Sequence, residues 1–163
     1  MNNPDRIVHK MLTRDELVKQ AVRWRFLGKR ISFTNGCFDI LHEGHIASLS
    51  AAAREGDVLV VGLNADASTK RLKGPSRPVN HEKSRALIIA SLEIVDAVVI
   101  FEEDTPLELI KVLLPDTMVK GGDYTVDQIA GAKEVVANGG KVVINKILAG
   151  FSTTAIIGKI NSL

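Results

Sequence analysis

The residues best suited to chemistry lie within residues 31–54, between a short apolar run and an alanine-rich segment. His42 and His45 stand three positions apart with Gly44 between them, shortly after an Asn-Gly pair. A strand that leads through a glycine turn into a helix suits phosphate binding, because the first helical turn offers unpaired N–H groups and the positive end of the helix dipole. Two histidines at this entrance therefore indicate a site for an anion.

The spacing of the two histidines also allows a structural interpretation, in which one caps the helix and the other is satisfied by hydrogen bonds. Both interpretations stay open on spacing alone. Zinc would need a third and usually a fourth ligand, and no Cys or carboxylate here has the required spacing, so no metal ligand is assigned. Gly44 is expected to let a ligand approach the backbone closely.

Two further residues of the same loop, Cys37 and Asp39, carry groups that can react. Cys37 could act as a nucleophile, but a lone cysteine is more often a small buried apolar residue, so no thiol mechanism is predicted. Asp39 could be catalytic or could accept bonds from backbone N–H groups, and we expect it to brace the loop. The chemistry that remains is phosphate handling without a covalent nucleophile.

Composition is that of an ordinary globular protein. The 163 residues predict a single domain, residues 1–163, of which 45% are hydrophobic and 25% charged. Twenty-one basic and nineteen acidic residues leave a net charge of +2, which gives no support for nucleic acid or an anionic membrane as a partner. The single cysteine excludes an internal disulfide. No segment resembles a signal peptide or a membrane span, so a cytoplasmic location is expected.

Apolar runs alternate with amphipathic segments along the chain. The runs begin near residues 31, 57, 97, 117 and 141 and are typical of strands buried on both faces of a parallel sheet. We expect an α/β, Rossmann-like, doubly wound and mostly parallel sheet of about five strands with helices on both faces. Thr13 and Glu16 predict a capping box for an N-terminal helix within residues 12–28, after a loose lead-in over residues 1–11.

Ligands of such sheets bind beyond the carboxyl ends of the strands, so the loops at 34–45, 64–80, 120–124 and 146–154 are the expected site. The second of these is predicted to be a basic loop that contacts phosphate through the Lys and Arg residues at positions 70, 71, 73 and 77.

Two helices are expected to follow these loops. Asn80 is predicted to cap a helix that runs to about Val95, with Leu87, Ile88, Leu92 and Val95 facing inward. The hydroxyls at 152–154 are expected to cap a closing helix whose inner face includes Ile160, and they could equally hold phosphate oxygens. No Walker lysine loop is present and no G-x-G-x-x-G follows the first strand, which counts against a P-loop kinase or a nicotinamide dehydrogenase.

Residues 36–45, GCFDILHEGH, resemble the G-x-F-D-x-x-H-x-G-H signature of the cytidylyltransferase-like nucleotidyltransferase superfamily, and residues 152–154, STT, resemble the S-T-T of its closing helix. Five segments, at 34–42, 64–74, 76–80, 119–124 and 129–135, are similar to the D-glycero-β-D-manno-heptose 1-phosphate adenylyltransferases. In many bacteria that activity is one half of a bifunctional protein whose other half is a sugar kinase. Because 163 residues leave no room for a kinase domain, the stand-alone form is expected. Ile147 stands where glycerol-3-phosphate cytidylyltransferases carry an arginine, which favours the heptose branch.

The resemblance implies a reaction of ATP with a sugar 1-phosphate to give an ADP-sugar and pyrophosphate, with Mg²⁺ bound mainly through substrate phosphates. It implies catalytic roles for His42, His45 and Lys73. Residues implied in nucleotide or phosphate binding are Asn35, Gly36, Cys37, Phe38, Gly44, Lys70, Gly121, Ser152, Thr153 and Thr154, and those implied in substrate binding or bracing are Asp39, Asp66, Arg85 and Asp123. A cytidylyltransferase of a polyol phosphate and a non-catalytic nucleotide-binding module stay as alternatives. The base, the sugar and the formation of a homodimer are left open.

Overall fold

A parallel sheet in the order β3-β2-β1-β4-β5 forms the centre of the computed structural model, which describes residues 5–146 and 150–163. Its strands are β1 Ile31–Gly36, β2 Val58–Asn64, β3 Ala97–Phe101, β4 Thr117–Gly121 and β5 Lys141–Asn145. Strand β1 pairs on one side with β2 and on the other with β4, so the strand order reverses between β1 and β4. The expected fold class is confirmed, and this reversal marks where such sheets bind ligands.

Helices cover both faces of the sheet. The described residues form helices α1 Asp5–Val8, α2 Arg14–Phe26, α3 Glu43–Ala53, α4 Asp66–Lys73, α5 Glu82–Ala90, α6 Leu107–Leu113, α7 Ala132–Ala137 and α8 Thr153–Asn161. One core cluster contains Leu17 of α2 and Phe33 of β1, and the other contains Leu49 of α3 and Ile89 of α5. All seven residues of β2 are buried, as its near-continuous apolar sequence predicts for a central parallel strand. None of the helices in the described part of the chain is long and apolar enough to cross a membrane.

The N-terminal segment is better ordered than its sequence predicts. Thr13 and Glu16 form the expected capping box at the start of α2. The expectation of a loose lead-in over residues 1–11 is wrong for its described part, because α1 is helical and Met11 forms a bridge with Val98 of β3. The N–H of Val98 also donates to the carbonyl of Lys10 at 2.8 Å. This segment therefore satisfies backbone groups along the free edge of β3, which would otherwise be unpaired.

The segment at 66–73, predicted to be part of a basic loop, is the helix α4. Its inner face consists of Ser68 and Thr69, both fully buried, so no apolar periodicity marks it in the sequence. The amide of Asn64 donates to Ser68 Oγ at 2.9 Å, and Thr69 Oγ1 donates to the carbonyl of Asn64 at 3.4 Å. Hydrogen bonding to the end of β2 thus replaces the hydrophobic contacts by which helices are usually identified.

Helix α5 presents a different face to the core from the one predicted. Leu87 and Ile88 are 46% and 38% exposed, whereas Ala86 and Ile89 are buried. The N-cap is His81 rather than Asn80, and the helix ends at Ala90 rather than near Val95. The rotation follows from Arg85, which is buried on the inner face beside Ala86 and fixes the helix through hydrogen bonds described below.

The closing helix α8 begins as predicted. Ser152 is its N-cap, and the Ser152 side chain accepts a hydrogen bond from the N–H of Ala155 at 3.0 Å. Ile160 is 59% exposed, so its predicted place on an inner face is wrong. The expectation based on Ile147 lies outside the described residues.

Candidate active site

A cavity of about 660 Å³ opens at the carboxyl ends of β1 and β4, where the strand order reverses. It is lined by both histidines and by most of the residues that the sequence predicts for the site. The predicted residues that it brings together are Asn35, Gly36, Cys37, Phe38, Asp39, His42, Gly44, His45, Lys73, Gly121, Ser152, Thr153 and Thr154. Segments more than a hundred residues apart thus meet at one edge of the sheet, as the parallel topology predicts.

The imidazole rings of His42 and His45 stack on each other. Their centroids are 3.8 Å apart with an interplanar angle of 22°, and Phe38 meets the His45 ring edge-on at 5.2 Å. His42 occupies the N-cap position of α3 but makes no side-chain cap hydrogen bond, so the capping interpretation does not describe it. The Nδ1 atoms of both rings are buried and find no hydrogen-bond partner among the described residues. Both histidines also line the cavity, so their rings lie where a ligand would bind.

Burial keeps His45 uncharged. Desolvation, followed by the neighbouring His42, lowers the pKa of His45 from 6.5 to about 4, and the carbonyl of Ile40 opposes this shift only in part. A neutral imidazole still carries one N–H donor. Near neutral pH His45 therefore presents a donor without a fixed positive charge, and a bound anion would favour the protonated ring.

Gly44 lines the cavity and leaves room for the His42 ring. A Cβ atom at this position would lie 3.0 Å from Cε1 of His42 and 3.1 Å from Cβ of Phe151. The space above Gly44 is thus occupied by the His42 ring and the start of the segment that leads into α8. The absent side chain lets two parts of the protein pack together, and the close approach of a ligand to this backbone stays a prediction.

Asp39 braces the loop that precedes the histidines. Its side chain is fully buried and accepts a hydrogen bond from Nε of Arg77 at 2.6 Å. The backbone N–H groups of Val79 and Asn80 also donate to it, at 2.9 Å and 3.0 Å. Although desolvation of the carboxyl raises the pKa of Asp39, the amides of Asn80 and Val79 and the Arg77 guanidinium together hold it below 3.8. With its lone pairs directed at these donors, Asp39 is geometrically suited to bracing.

Arg85 and Asp66 form a second brace behind the cavity wall. The Arg85 side chain is fully buried, and its Nη2 donates to Oδ1 of Asp66 at 2.7 Å. The same guanidinium donates to the carbonyls of Asn80 and Cys37. Desolvation raises the pKa of Asp66, but the hydrogen bonds from Arg85 and His81 outweigh it and keep that pKa below 3.8. Neither Arg85 nor Asp66 lines the cavity, so the geometry favours bracing over substrate contact for both.

Two more residues predicted for the site do not reach the cavity. Lys70 lies one helical turn before Lys73 and lines a second, shallower cavity with His81 and Glu82. Asp123 is exposed and is not among the cavity-lining residues, although the next residue, Tyr124, is one of them.

Cationic side chains are in excess around the cavity. Lys73, Arg77 and Lys120 line it, together with the carboxylates of Asp39 and Asp104. Both carboxylates are already paired: Asp39 with Arg77, and Asp104 with Nε of Arg71 at 2.6 Å. Among the described residues the cavity thus keeps positive charge available for a polyanion.

Sequence reasoning missed several cavity residues, chiefly on strand β4 and beyond. Lys120, Tyr124 and Gln128 line the cavity, as does Thr105 before α6. Residues 120–124 form one of the predicted strand-end loops, but the resemblance points only to Gly121 and Asp123 within it. The rule that side chains at carboxyl strand ends face the ligand would also have selected Lys120.

A metal site made of protein side chains alone is not evident. Nowhere in residues 5–146 or 150–163 do three or more His, Cys, Asp or Glu residues stand close enough to hold a metal ion.

Fold and cavity together define the class of protein, a Rossmann-like α/β domain with a cation-rich cavity at the switch point of a parallel sheet. The chain belongs to the cytidylyltransferase-like family, which it matches over residues 33–159. The resemblance inferred from the sequence is thereby confirmed, and the chain is a nucleotidyltransferase by family.

Curated relatives share about half of their aligned residues with this chain. The bifunctional protein HldE of Methylobacillus flagellatus is 52% identical over 94% of this chain and 31% of its own length. HldE of Rhodopseudomonas palustris strain BisB18 is 57% identical over 88% of this chain and 29% of its own length. The chain thus spans about a third of the length of the curated relatives it matches.

Solved structures support the same fold. A lipopolysaccharide core biosynthesis protein from Thermoplasma volcanium superimposes with a TM-score of 0.61 at 32% identity, over 74% of this chain and 98% of its own. Pantoate-beta-alanine ligase from Francisella tularensis gives a TM-score of 0.53 at 17% identity, over 90% of this chain and 76% of its own. At that lower identity the similarity concerns the fold alone.

Proposed function

We propose that the chain is an adenylyltransferase that joins ATP to D-glycero-β-D-manno-heptose 1-phosphate, giving ADP-heptose and pyrophosphate for lipopolysaccharide core or related glycans. The observation that carries the proposal is the stacked pair of His42 and His45, which lines a cavity rich in cations. The names of the relatives, bifunctional HldE and a lipopolysaccharide core biosynthesis protein, support the choice of pathway.

The reaction needs no general base. A phosphate oxygen of the sugar phosphate attacks the α-phosphorus of ATP, a new P–O bond forms, and the bond to the bridging oxygen of the β-phosphate breaks as pyrophosphate leaves. The nucleophile is already ionised near neutral pH. Catalysis then consists of bringing two polyanions together and stabilising charge on the α-phosphoryl group and the leaving pyrophosphate.

Each part of the cavity has a role in this scheme. His42 and His45 donate hydrogen bonds to the α-phosphoryl oxygens, and Lys73 neutralises the charge of the departing pyrophosphate. Ser152 and Thr154 lie at the N-terminus of α8, where hydroxyls and amides are suited to hold the β- and γ-phosphates. The Ser152 oxygen accepts the capping bond from Ala155, and its hydroxyl proton remains a donor for phosphate.

Mg²⁺, when bound, would neutralise part of the phosphate charge. The carboxylates at the cavity, Asp39 and Asp104, are engaged by arginines, so phosphate oxygens and water would supply most of the ligands of the ion.

A pyrophosphate-release assay tests the proposal. ATP, CTP and GTP are each combined with Mg²⁺ and with the two anomers of heptose 1-phosphate or with glycerol 3-phosphate. Release with ATP and the β-anomer alone is expected. Release with CTP and glycerol 3-phosphate would establish a polyol phosphate cytidylyltransferase instead, and no release with any pair would favour a non-catalytic nucleotide-binding module.

Substitution of His45 tests the role of the histidine pair. Loss of one donor to the transition state costs on the order of 10²–10³ in rate, so His45→Ala should bind ATP but turn over at most about one hundredth as fast. His9→Ala is the matched control, since His9 is exposed and lies outside the cavity. Turnover of His45→Ala at the wild-type rate would exclude His45 from the chemistry.

A further inference from the structure

Lys120 is a cavity cation to which the scheme above gives no role. It is the penultimate residue of β4 and is partly buried at the cavity. Its Nζ donates to Oδ1 of Asn35 on β1 at 3.2 Å. These two strands flank the point where the strand order reverses, which is where such sheets bind ligands.

The Lys120 ammonium has more donors than the described residues satisfy. An ammonium carries three N–H groups, and Asn35 accepts one. No carboxylate in the described part of the chain forms an ion pair with Lys120, because Asp39 is bonded to Arg77 and Asp104 to Arg71. Asn35, which receives a bond from an obligate donor, must direct its carbonyl oxygen at the lysine.

The described surroundings of Lys120 provide no paired carboxylate to offset its burial. Burial lowers the pKa of Lys120, and the charge of Lys73 adds to this effect while Cys37 opposes it. A partly buried cation without a carboxylate is costly for the protein on its own, and an anionic ligand would offset that cost. Two lysines near the same cavity floor favour an occupant with more than one negative charge.

We propose that Lys120 binds a phosphate group of the substrates through the N–H groups that Asn35 leaves free. The inference rests on the proposed function only in taking the phosphate from ATP or from the sugar phosphate. It adds to that function a charged contact on β4, across the cavity from the helix that carries the histidines.

Calorimetric titration of Lys120→Met tests the contact. Methionine keeps the length and apolar stem of lysine and removes the charge. Lys133→Met, on the exposed surface of α7, is the matched control.

Four ligands are compared in pairs: ATP with adenosine, and heptose 1-phosphate with free heptose. A hydrogen bond to a charged group corresponds to a roughly tenfold to hundredfold change in affinity, so Lys120→Met should weaken one phosphate-bearing ligand by that factor. Its phosphate-free counterpart should bind as tightly as to the wild type.

The pattern of loss identifies the phosphate. Weakening of ATP alone assigns Lys120 to the nucleotide, and weakening of heptose 1-phosphate alone assigns it to the second substrate. Unchanged binding of both, or equal weakening of each ligand and its phosphate-free counterpart, would overturn the proposal. If the wild-type protein binds both phosphate ligands and turns over, and Lys120→Met binds them equally well, only the role of Lys120 is disproved. Wild-type protein that binds neither phosphate ligand disproves the proposed function as well.

A measurement on the wild-type chain covers the case of a variant that does not fold. Titration at alkaline pH, in buffers of different ionisation enthalpy, reports the protons taken up on binding. Because a phosphate raises the pKa of an adjacent ammonium, ATP or heptose 1-phosphate should cause proton uptake that its phosphate-free counterpart does not. Proton uptake that is the same for each phosphate-bearing ligand and its phosphate-free counterpart would contradict the contact.

Discussion

The two halves of the sheet hold their strand-end residues in different ways. Behind β1 and β2, buried charged side chains fix the loops: Asp39 accepts bonds from Arg77 and two backbone amides, and Arg85 joins three segments. At the ends of β4 and β5, Lys120 has one side-chain partner, and the buried Nδ2 of Asn145 finds none among the described residues. Strand β2 is buried throughout, whereas no residue of β5 is buried.

The difference separates positioning from binding. Asp39, Arg77 and Arg85 of the β1–β2 half are bonded within the protein, so they position the loops and have little capacity left for a ligand. Lys120 at the end of β4 lines the cavity and keeps N–H groups that a ligand can take up. Buried polar groups are normally paired, so unpaired ones at a cavity favour a ligand as the missing partner.

Removal of the Asp39 carboxylate should have the largest effect on the braced half. Asp39→Ala leaves the guanidinium of Arg77, 12% exposed, without its partner, and breaking a buried pair in this way costs about 3–5 kcal/mol of unfolding free energy. Asp104→Ala is the control, because its ion pair with Arg71 has the same length of 2.6 Å but exposed partners. That change should cost about 1 kcal/mol or less. Urea unfolding of both variants measures the difference, and equal losses would remove the distinction between the braced and the open half.

A methyl group at Gly44 should disturb the histidines more than it disturbs the fold. Gly44→Ala brings Cβ to 3.0 Å from the His42 ring, which must shift, and we expect turnover to fall about tenfold or more. Gly158→Ala in α8 is the matched change, since a Cβ atom at Gly158 would meet no atom within 4 Å. It should leave turnover unchanged and raise stability by up to about 1 kcal/mol. Comparison of steady-state rates checks both; a fully active Gly44→Ala would show that the packing of His42 against Gly44 does not matter for turnover.

As the pH is lowered, the free energy of unfolding should fall first through protonation of His45 and only at lower pH through protonation of the carboxylates. The pKa of His45 is lowered from 6.5 to about 4 in the folded chain, so the unfolded chain binds more protons between these values. The free energy of unfolding should therefore fall as pH drops through this window, by about 1–2 kcal/mol after allowance for solvent screening of a partly exposed ring. His45→Gln should flatten the curve there. The contribution of Asp39, whose pKa is held below 3.8, is lost only at lower pH. Unfolding curves at a series of pH values test this, and an unchanged slope in His45→Gln would exclude the ring as its source.

Sequence reasoning identified the elements whose signals are local. Thr13 and Glu16 form the predicted capping box, and Ser152 caps α8 as expected. It failed where a helix is held by polar contacts. Ser68 and Thr69 give α4 a buried face with no apolar period, and Arg85 turns Leu87 toward solvent because its own guanidinium must reach Cys37, Asn80 and Asp66. Polar contacts leave no apolar period in the sequence, whether they are local, as between Asn64 and Ser68, or distant, as between Arg85 and Cys37.

The amino-acid sequence by itself determined the alternating α/β order, the ends of several helices and the motif that contains His42 and His45. These depend on short-range spacing, on capping chemistry and on continuous apolar runs, all of which can be identified within a few neighbouring residues. The tertiary structure alone decided that the two rings stack, that Gly44 makes room for His42, and that Lys120 meets Asn35 without a carboxylate. Each of these depends on which distant segments the parallel sheet brings to one edge, and that arrangement exists only once the core has packed.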